Sequence, residues 1–257
     1  MSCSTTYAYW DNPIDIATLT GSSETANFTA SQIQTPRLSE YWLTTGTSEN
    51  LVIDAGMGNT IDAETLIIAG HNLTASATVT LQGNTTDAWG APAFSVSMSA
   101  IWDYAANIFV IDTTAVTTYR YWRLVFSDAT NPDGMLKVGR VFLGTGLNII
   151  RGVSDSFVER EIETSQTDFS ISGQAYTDPG FKYRLYDLFF PYWTESMRQS
   201  IKTMLVTVGK HKPIFLVIDS DNIDKLDVVY CLIISDGNYT YLNGYNWSST
   251  LTFREVF

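Results

Sequence analysis

Apolar and polar side chains alternate with a period of two through most of this chain, and that period predicts strands. In residues 119–126, YRYWRLVF, the side chains of Trp122, Leu124 and Phe126 fall on one face and those of Tyr121, Arg123 and Val125 on the other. Asn131, Pro132, Asp133 and Gly134 come next, combining a fixed φ with a residue that tolerates φ > 0, and residues 136–143 then alternate again. This order predicts a hairpin, with Gly144 and Gly146 loosening the chain behind it. Upstream, NLVID at 50–54, TLIIA at 65–69 and TVTLQ at 78–82 read as strands, each followed closely by glycine. Residues 93–98 and 108–111 read as weaker strands. No helical period holds over a window of about eleven residues in this half. Residues 1–146 are therefore expected to form a β-sandwich.

The pattern changes beyond Gly146. Residues 157–173 alternate over a long run with a bend near 164–168, Thr177 to Gly180 carry turn chemistry, and 181–188 read as a further strand. A helix is expected near 194–208. Thr194 is its N-cap, Glu195 suits its positive end, and Met197, Ile201, Met204, Leu205 and Val208 recur at helical spacing up to Gly209. IFLVI at 214–218 and VVYCLII at 228–234 read as buried strands, and 247–256 alternates to the end. The chain is thus expected to be mostly β, with a second domain at 147–257 built as a β-sandwich or split barrel with one flanking helix.

Composition narrows the function classes. The 257 residues carry a net charge of −12, which opposes nucleic-acid binding by phosphate neutralisation. Only 16% are charged while 13% are aromatic, a balance that suits polar, uncharged surfaces with interface or glycan-stacking rings. Cys3 and Cys231 lie far apart, so no disulfide framework or metal-ligand spacing is visible, and Cys231 reads as a buried small hydrophobe. No basic leader and no apolar run of the ~20 residues needed to span a bilayer is seen. The expectation is a soluble product made in a cytosol.

The pieces ENLVIDAG at 49–56, TLIIAGHN at 65–72, VTLQGN at 79–84 and YRYWRL at 119–124 occur in the order found in the discoidin-like, or galactose-binding-like, domain family. Residues 20–145 resemble that family, which includes the C-type domains of coagulation factors V and VIII. The resemblance implies a β-sandwich whose ligands bind in loops at one end. Many members clamp their ends with a disulfide, and this segment has no cysteine pair; the family's ligand loops vary so much that no ligand residue is carried over. The second half resembles the tube-like domain of phage tail proteins, with long strand pairs, one flanking helix and a closing strand such as SSTLTFREVF at 248–257. Together the two resemble a distal tail or minor tail protein of a long-tailed bacteriophage. That combination implies a structural virion component of the tail tip or baseplate, made in the host cytoplasm. It implies a ring, commonly hexameric, that meets the tail tube, hub, tape-measure protein and fibres and lets DNA pass without specific binding. The alternative is a glycan-binding protein that recognises host-surface carbohydrate through the first domain.

Chemistry-bearing residues are few. Glu159, Glu161 and Glu163 alternate with Val158, Arg160 and Ile162, so a strand places all three carboxylates on one side. They read as a solvated face or, repeated round a ring, as a channel lining that repels phosphates. His71 and Asn72 follow a strand in AGHNL, where a locally hydrogen-bonded loop competes with ligand contact. Trp89, Trp102 and Tyr104 lie in loops and read as interface anchors or sugar platforms. Tyr119, Tyr121, Arg123 and Arg140 first stand out as contacts, but the implied loop site moves binding away from them. No catalytic, phosphate-binding or dinucleotide motif occurs, so no enzyme activity, metal or cofactor is expected. The acidic stretch starting at Asp219 lacks the sixth-position glycine and twelfth-position glutamate of a calcium loop and reads as a turn.

Overall fold

Strand β10 (Tyr121–Ser127) is the centre of a five-stranded antiparallel sheet, flanked by β4 (Ser48–Asp54) and β6 (Thr78–Asn84). With β2 (Thr18–Gly21) and β7 (Phe94–Ser99) outside them, the order is β2-β4-β10-β6-β7. These relationships come from a computed structural model that describes residues 5–99, 102–103, 108–149, 153, 157–218, 228–242 and 246–256. A second sheet faces the first, in the order β12 (Arg140–Gly144), β5 (Ile61–Ala69), β9 (Ile108–Tyr119) and β8 (Trp102–Asp103). A short pair, β3 (Trp42–Leu43) with β11 (Lys137–Val138), closes one side. Between the sheets Trp122, Leu124 and Phe126 of β10 join Leu51, Ile53, Val79 and Leu81 against Leu66, Ile68, Val141 and Leu143. The first half is a β-sandwich.

Two local expectations need correction. Residues 119–126 are not one strand, because the chain crosses between sheets at Arg120, from β9 into β10. Nor do β10 and β12 form a hairpin, since β10 pairs with β4 and β6 while β12 pairs with β5. The physical reason is the core itself. Each strand has an apolar face, and placing them in opposite sheets buries Trp122, Leu124 and Phe126 with Val141 and Leu143 in one cluster. The turn at 131–134 spans the end of the sandwich, held by Gly134 N donating to the carbonyl of Asn131 and Asp133 N donating to Asn131 Oδ1.

The second half is organised on one eight-stranded antiparallel sheet. Its order is β13 (Leu147–Ile149), β1 (Thr6–Tyr9), β18 (Ile214–Val217), β19 (Val228–Ile233), β21 (Asn246–Glu255), β17 (Lys182–Trp193) and β14 (Val158–Glu163). Strand β20 (Thr240–Leu242) pairs with β21 beside this path. Helix α1 (Glu195–Val208) buries Ile201, Met204 and Val208 in the cluster that holds Leu188, Phe190, Leu216 and Phe253 of the sheet. Thr194 caps α1 by accepting from Met197 N, and Gly209 ends it at φ +59°. A hairpin of β15 (Gln166–Phe169) and β16 (Ala175–Asp178) stands apart with every residue exposed. Strand β1, at the start of the chain, lies within the second sheet rather than with the sandwich, because Tyr7, Ala8 and Tyr9 pair with β18.

The halves meet through a third apolar cluster. Ile67, Ala69 and Phe142 point outward from the β12-β5-β9 sheet and pack on Phe215, Val217, Val228 and Tyr230, with Tyr9 between them. This explains why β5 reads as a continuous apolar run: Leu66 and Ile68 face the sandwich core while Ile67 and Ala69 face the second half. One outer face of the sandwich is therefore covered. Among the described residues no sheet or helix covers the other, on β2-β4-β10-β6-β7, and it is open.

Candidate functional site

The open face follows from parity. With Trp122, Leu124 and Phe126 inward, Tyr121, Arg123 and Val125 point out, and register extends each into a row. Thr20, Val52, Arg123, Gln82 and Ser95 share one row. Thr18, Asp54, Tyr121 and Asn84 form the next, and Asn50, Val125, Thr80 and Ser97 the one on the other side. The face is thus mostly hydroxyl and amide side chains, with a tyrosine and an arginine at its centre.

The loop after β6 folds back over that centre. Asn84 Nδ2 donates to the carbonyl of Ala88 at 2.6 Å, and Trp89 Nε1 donates to Asp87 Oδ1 at 2.7 Å. These bonds fix the half-exposed Trp89, whose ring centroid lies 4.6 Å from the Arg123 guanidinium carbon. Arg123 is held from the other direction: Nε and Nη2 donate to Gln82 Oε1 at 2.8 and 2.6 Å. Partial burial lowers the Arg123 pKa, and the negative charge of Asp87 opposes that effect.

A second guanidinium is neutralised next door. Arg120 grips Asp54 bidentately, Nε to Oδ1 at 2.8 Å and Nη2 to Oδ2 at 3.0 Å, and its guanidinium carbon lies 4.6 Å from the Tyr121 ring centroid. The Arg120 hydrogen bonds hold the Asp54 carboxyl below the usual carboxylate range, helped by Gly56 N. The result is a strip of two ring–guanidinium pairs along β10. Flat rings accept C–H faces, and the surrounding amides and hydroxyls offer both donors and acceptors.

Of the loop residues singled out in the sequence, Trp89 sits on this strip, and Tyr121 and Arg123, which the loop reading set aside, are at its centre. His71 and Asn72 are not on it. His71 is buried, accepts from Leu73 N through Nδ1 at 3.1 Å, and burial pulls its pKa down to about 4, so it is neutral near pH 7. Asn72 donates to Asp133 Oδ2 and the carbonyl of Met135 and accepts from Lys137 N, tying its loop to the turn at 131–134. Trp102 opens β8, pairing with Phe109, while Tyr104 and the acidic stretch starting at Asp219 lie outside the described residues. Arg140 is buried at the junction, donating to the carbonyl of Ile33 and to Asp15. Cys231 is buried in the second core, where burial raises its pKa.

Glu159, Glu161 and Glu163 stand opposite Tyr186, Arg184 and Lys182 on β17. Tyr186 Oη donates to Glu159 at 3.3 Å, Lys182 Nζ approaches Glu163 at 3.5 Å, and Arg184 binds Glu255 at 2.6 Å. The stripe is thus interleaved with cations. Among the described residues no three histidine, cysteine or acidic side chains gather as a metal site, and no helix is long and apolar enough to cross a membrane.

No protein-family model and no curated protein sequence matches the chain. About half of it is similar to solved carbohydrate-binding modules. The family 32 CBM from C. perfringens NanJ in complex with galactose is 12% identical over 54% of this chain and 98% of its own, with a TM-score of 0.40. A Streptococcus pneumoniae fucose binding module, SpX-3, is 15% identical over 52% of this chain and 98% of its own, with a TM-score of 0.40. Chitosan-binding module 1 from a Paenibacillus sp. IK-5 chitosanase/glucanase is 16% identical over 52% and 99%, with a TM-score of 0.39.

Proposed function

We propose that the open face of the first sandwich binds saccharide, through Trp89, Tyr121 and Arg123 with Gln82 and Asn84 beside them. The observation that carries this reading is the Arg123–Trp89 pair, fixed by Gln82 in the middle of a face of hydroxyl and amide groups. Such a face supplies a stacking ring and pre-oriented donors without needing to reorganise, which lowers the entropic cost of binding. In this proposal residues 1–146 are the binding unit and 147–257 its partner unit, with β1 lent to the second sheet. The experiment is a glycan-array screen of the full chain, followed by calorimetry on the hits with galactose- and fucose-containing probes among them. Trp89→Ala is expected to weaken binding at least about tenfold, equivalent to about 1.4 kcal/mol, with an unchanged melting profile. Binding that survives this substitution intact contradicts the site.

A second reading draws on a separate observation. The β15–β16 hairpin leaves Phe169, Ile171 and Tyr176 exposed, next to exposed Phe181, and among the described residues β14 is an open sheet edge. Uncovered apolar groups beside a free edge suit association with further copies. This supports a ring-forming component of a phage tail tip, with Glu159, Glu161 and Glu163 facing its channel and the tail tube, hub and fibres as neighbours. A closed assembly near six copies by mass measurement supports it, and a strict monomer at high concentration counts against it.

A further inference from the structure

Six of the eight described arginines, Arg37, Arg120, Arg140, Arg160, Arg184 and Arg198, pair with carboxylates. Arg254 and Arg123 have no such pair. Arg254 stacks on Tyr183 in the second sheet, 4.2 Å from the ring centroid. Arg123 alone of the two lies on the open sandwich face. In a chain of net charge −12, the guanidinium on this face is held by a neutral amide rather than by a carboxylate.

Gln82 takes the Nε and Nη2 edge of the guanidinium, so the Nη1–Nη2 edge keeps its donors for a ligand. The Trp89 ring, 4.6 Å from the guanidinium carbon, lowers the local dielectric beside it, which strengthens any charge contact made at that edge. A planar, fixed fork of N–H donors matches a planar carboxylate, and charge-assisted bonds of this kind are about twice as strong as neutral ones. The neighbouring cation cannot serve, because both oxygens of Asp54 already bind Arg120. Among the described residues Asp87 is the acidic group that bears on Arg123, and its Oδ1 is engaged by Trp89 Nε1.

We infer that the saccharide this face prefers carries a carboxylate, read end-on by Arg123. The inference rests on the saccharide reading above. Trigalacturonate and its fully methyl-esterified form separate the two, because they share a sugar backbone and differ in charge. Titrated into the full chain at low salt, the acid is expected to bind at least about tenfold tighter than the ester. The gap should narrow as salt rises. Arg123→Gln should bring the acid down to the affinity of the ester. Asp87→Asn, which keeps an acceptor for Trp89 Nε1 and deletes a negative charge, should raise the ratio of acid to ester affinity by about threefold. Equal affinity for acid and ester overturns this inference and leaves the saccharide reading standing. Failure of both to bind, together with a blank glycan array, overturns both. An acid preference that survives Arg123→Gln moves the carboxylate contact elsewhere and also overturns the inference.

Discussion

The hydroxyl of Tyr230 donates to the carbonyl oxygen of Pro36 at 2.9 Å, joining strand β19 of the second half to the sandwich across 194 residues of sequence. Burial in this junction pushes the Tyr230 pKa up to about 12, so the bond persists through the working range of pH. Tyr230→Phe keeps the ring against Phe215 and removes the bond, leaving the Pro36 carbonyl without this donor. The expected cost is about 1 kcal/mol, read as a lower urea midpoint with an unchanged slope.

The apolar part of the same junction carries more. Phe142 is fully buried, edge-on to Tyr9 at 5.2 Å and to Phe215 at 6.3 Å. Truncation to alanine removes both contacts and opens a cavity between the halves, at about 3–5 kcal/mol. Scanning calorimetry of wild type is expected to show one cooperative transition, and Phe142→Ala should split it into two.

Gly83 lies on β6 directly opposite Trp122. A Cβ there would meet Tyr119 Cδ2 at 2.4 Å, and Tyr119 is itself packed on Trp122 with ring centroids 5.5 Å apart. The ring can give way only by disturbing that contact, so Gly83→Ala is expected to destabilise the fold by about 1–3 kcal/mol. Near-ultraviolet circular dichroism should report the displaced Trp122.

His71 links stability to acid. Its pKa is near 6.5 in an unfolded chain and about 4 in the fold, where burial disfavours the charged ring. Between those values the unfolded chain binds more protons, so stability falls as pH drops through this window, by about 3 kcal/mol at its lower end. Asparagine at this position supplies an acceptor in place of Nδ1 for Leu73 N and cannot titrate. Urea midpoints at pH 7 and pH 4.5 should therefore fall less for His71→Asn than for wild type.

Local patterns carried much of the architecture. Thr194 and Gly209 mark the ends of α1 because a cap and a left-handed glycine are chemistry of single residues. Alternation likewise found β6 and β10 and chose the buried face of β10, and the short apolar run NLVID found β4. It could not choose sheet partners, which is why the stretch at 117–144 reads as a hairpin yet divides between facing sheets. The site fared similarly. Trp89 was visible as a loop aromatic, and parity already placed Tyr121 and Arg123 outward. That their face is the open one depends on Ile67, Ala69 and Phe142 covering the other, a relationship between distant strands. The Arg120–Asp54 grip spans 66 positions and has no local signature. The useful signal was available in part: Gln82 shares the outward parity of its own strand, as Arg123 does on β10.

Saccharide binding on the β10 face is read out residue by residue in amide and indole chemical-shift mapping of the full chain during titration with trigalacturonate. Saturable shifts are expected at the Trp89 indole N–H and at the backbone amides of Gln82, Tyr121 and Arg123, with the loop at 70–74 unmoved. Shifts confined to the loops holding His71, Asn72 and Asp133, with the β10 face silent, would contradict it.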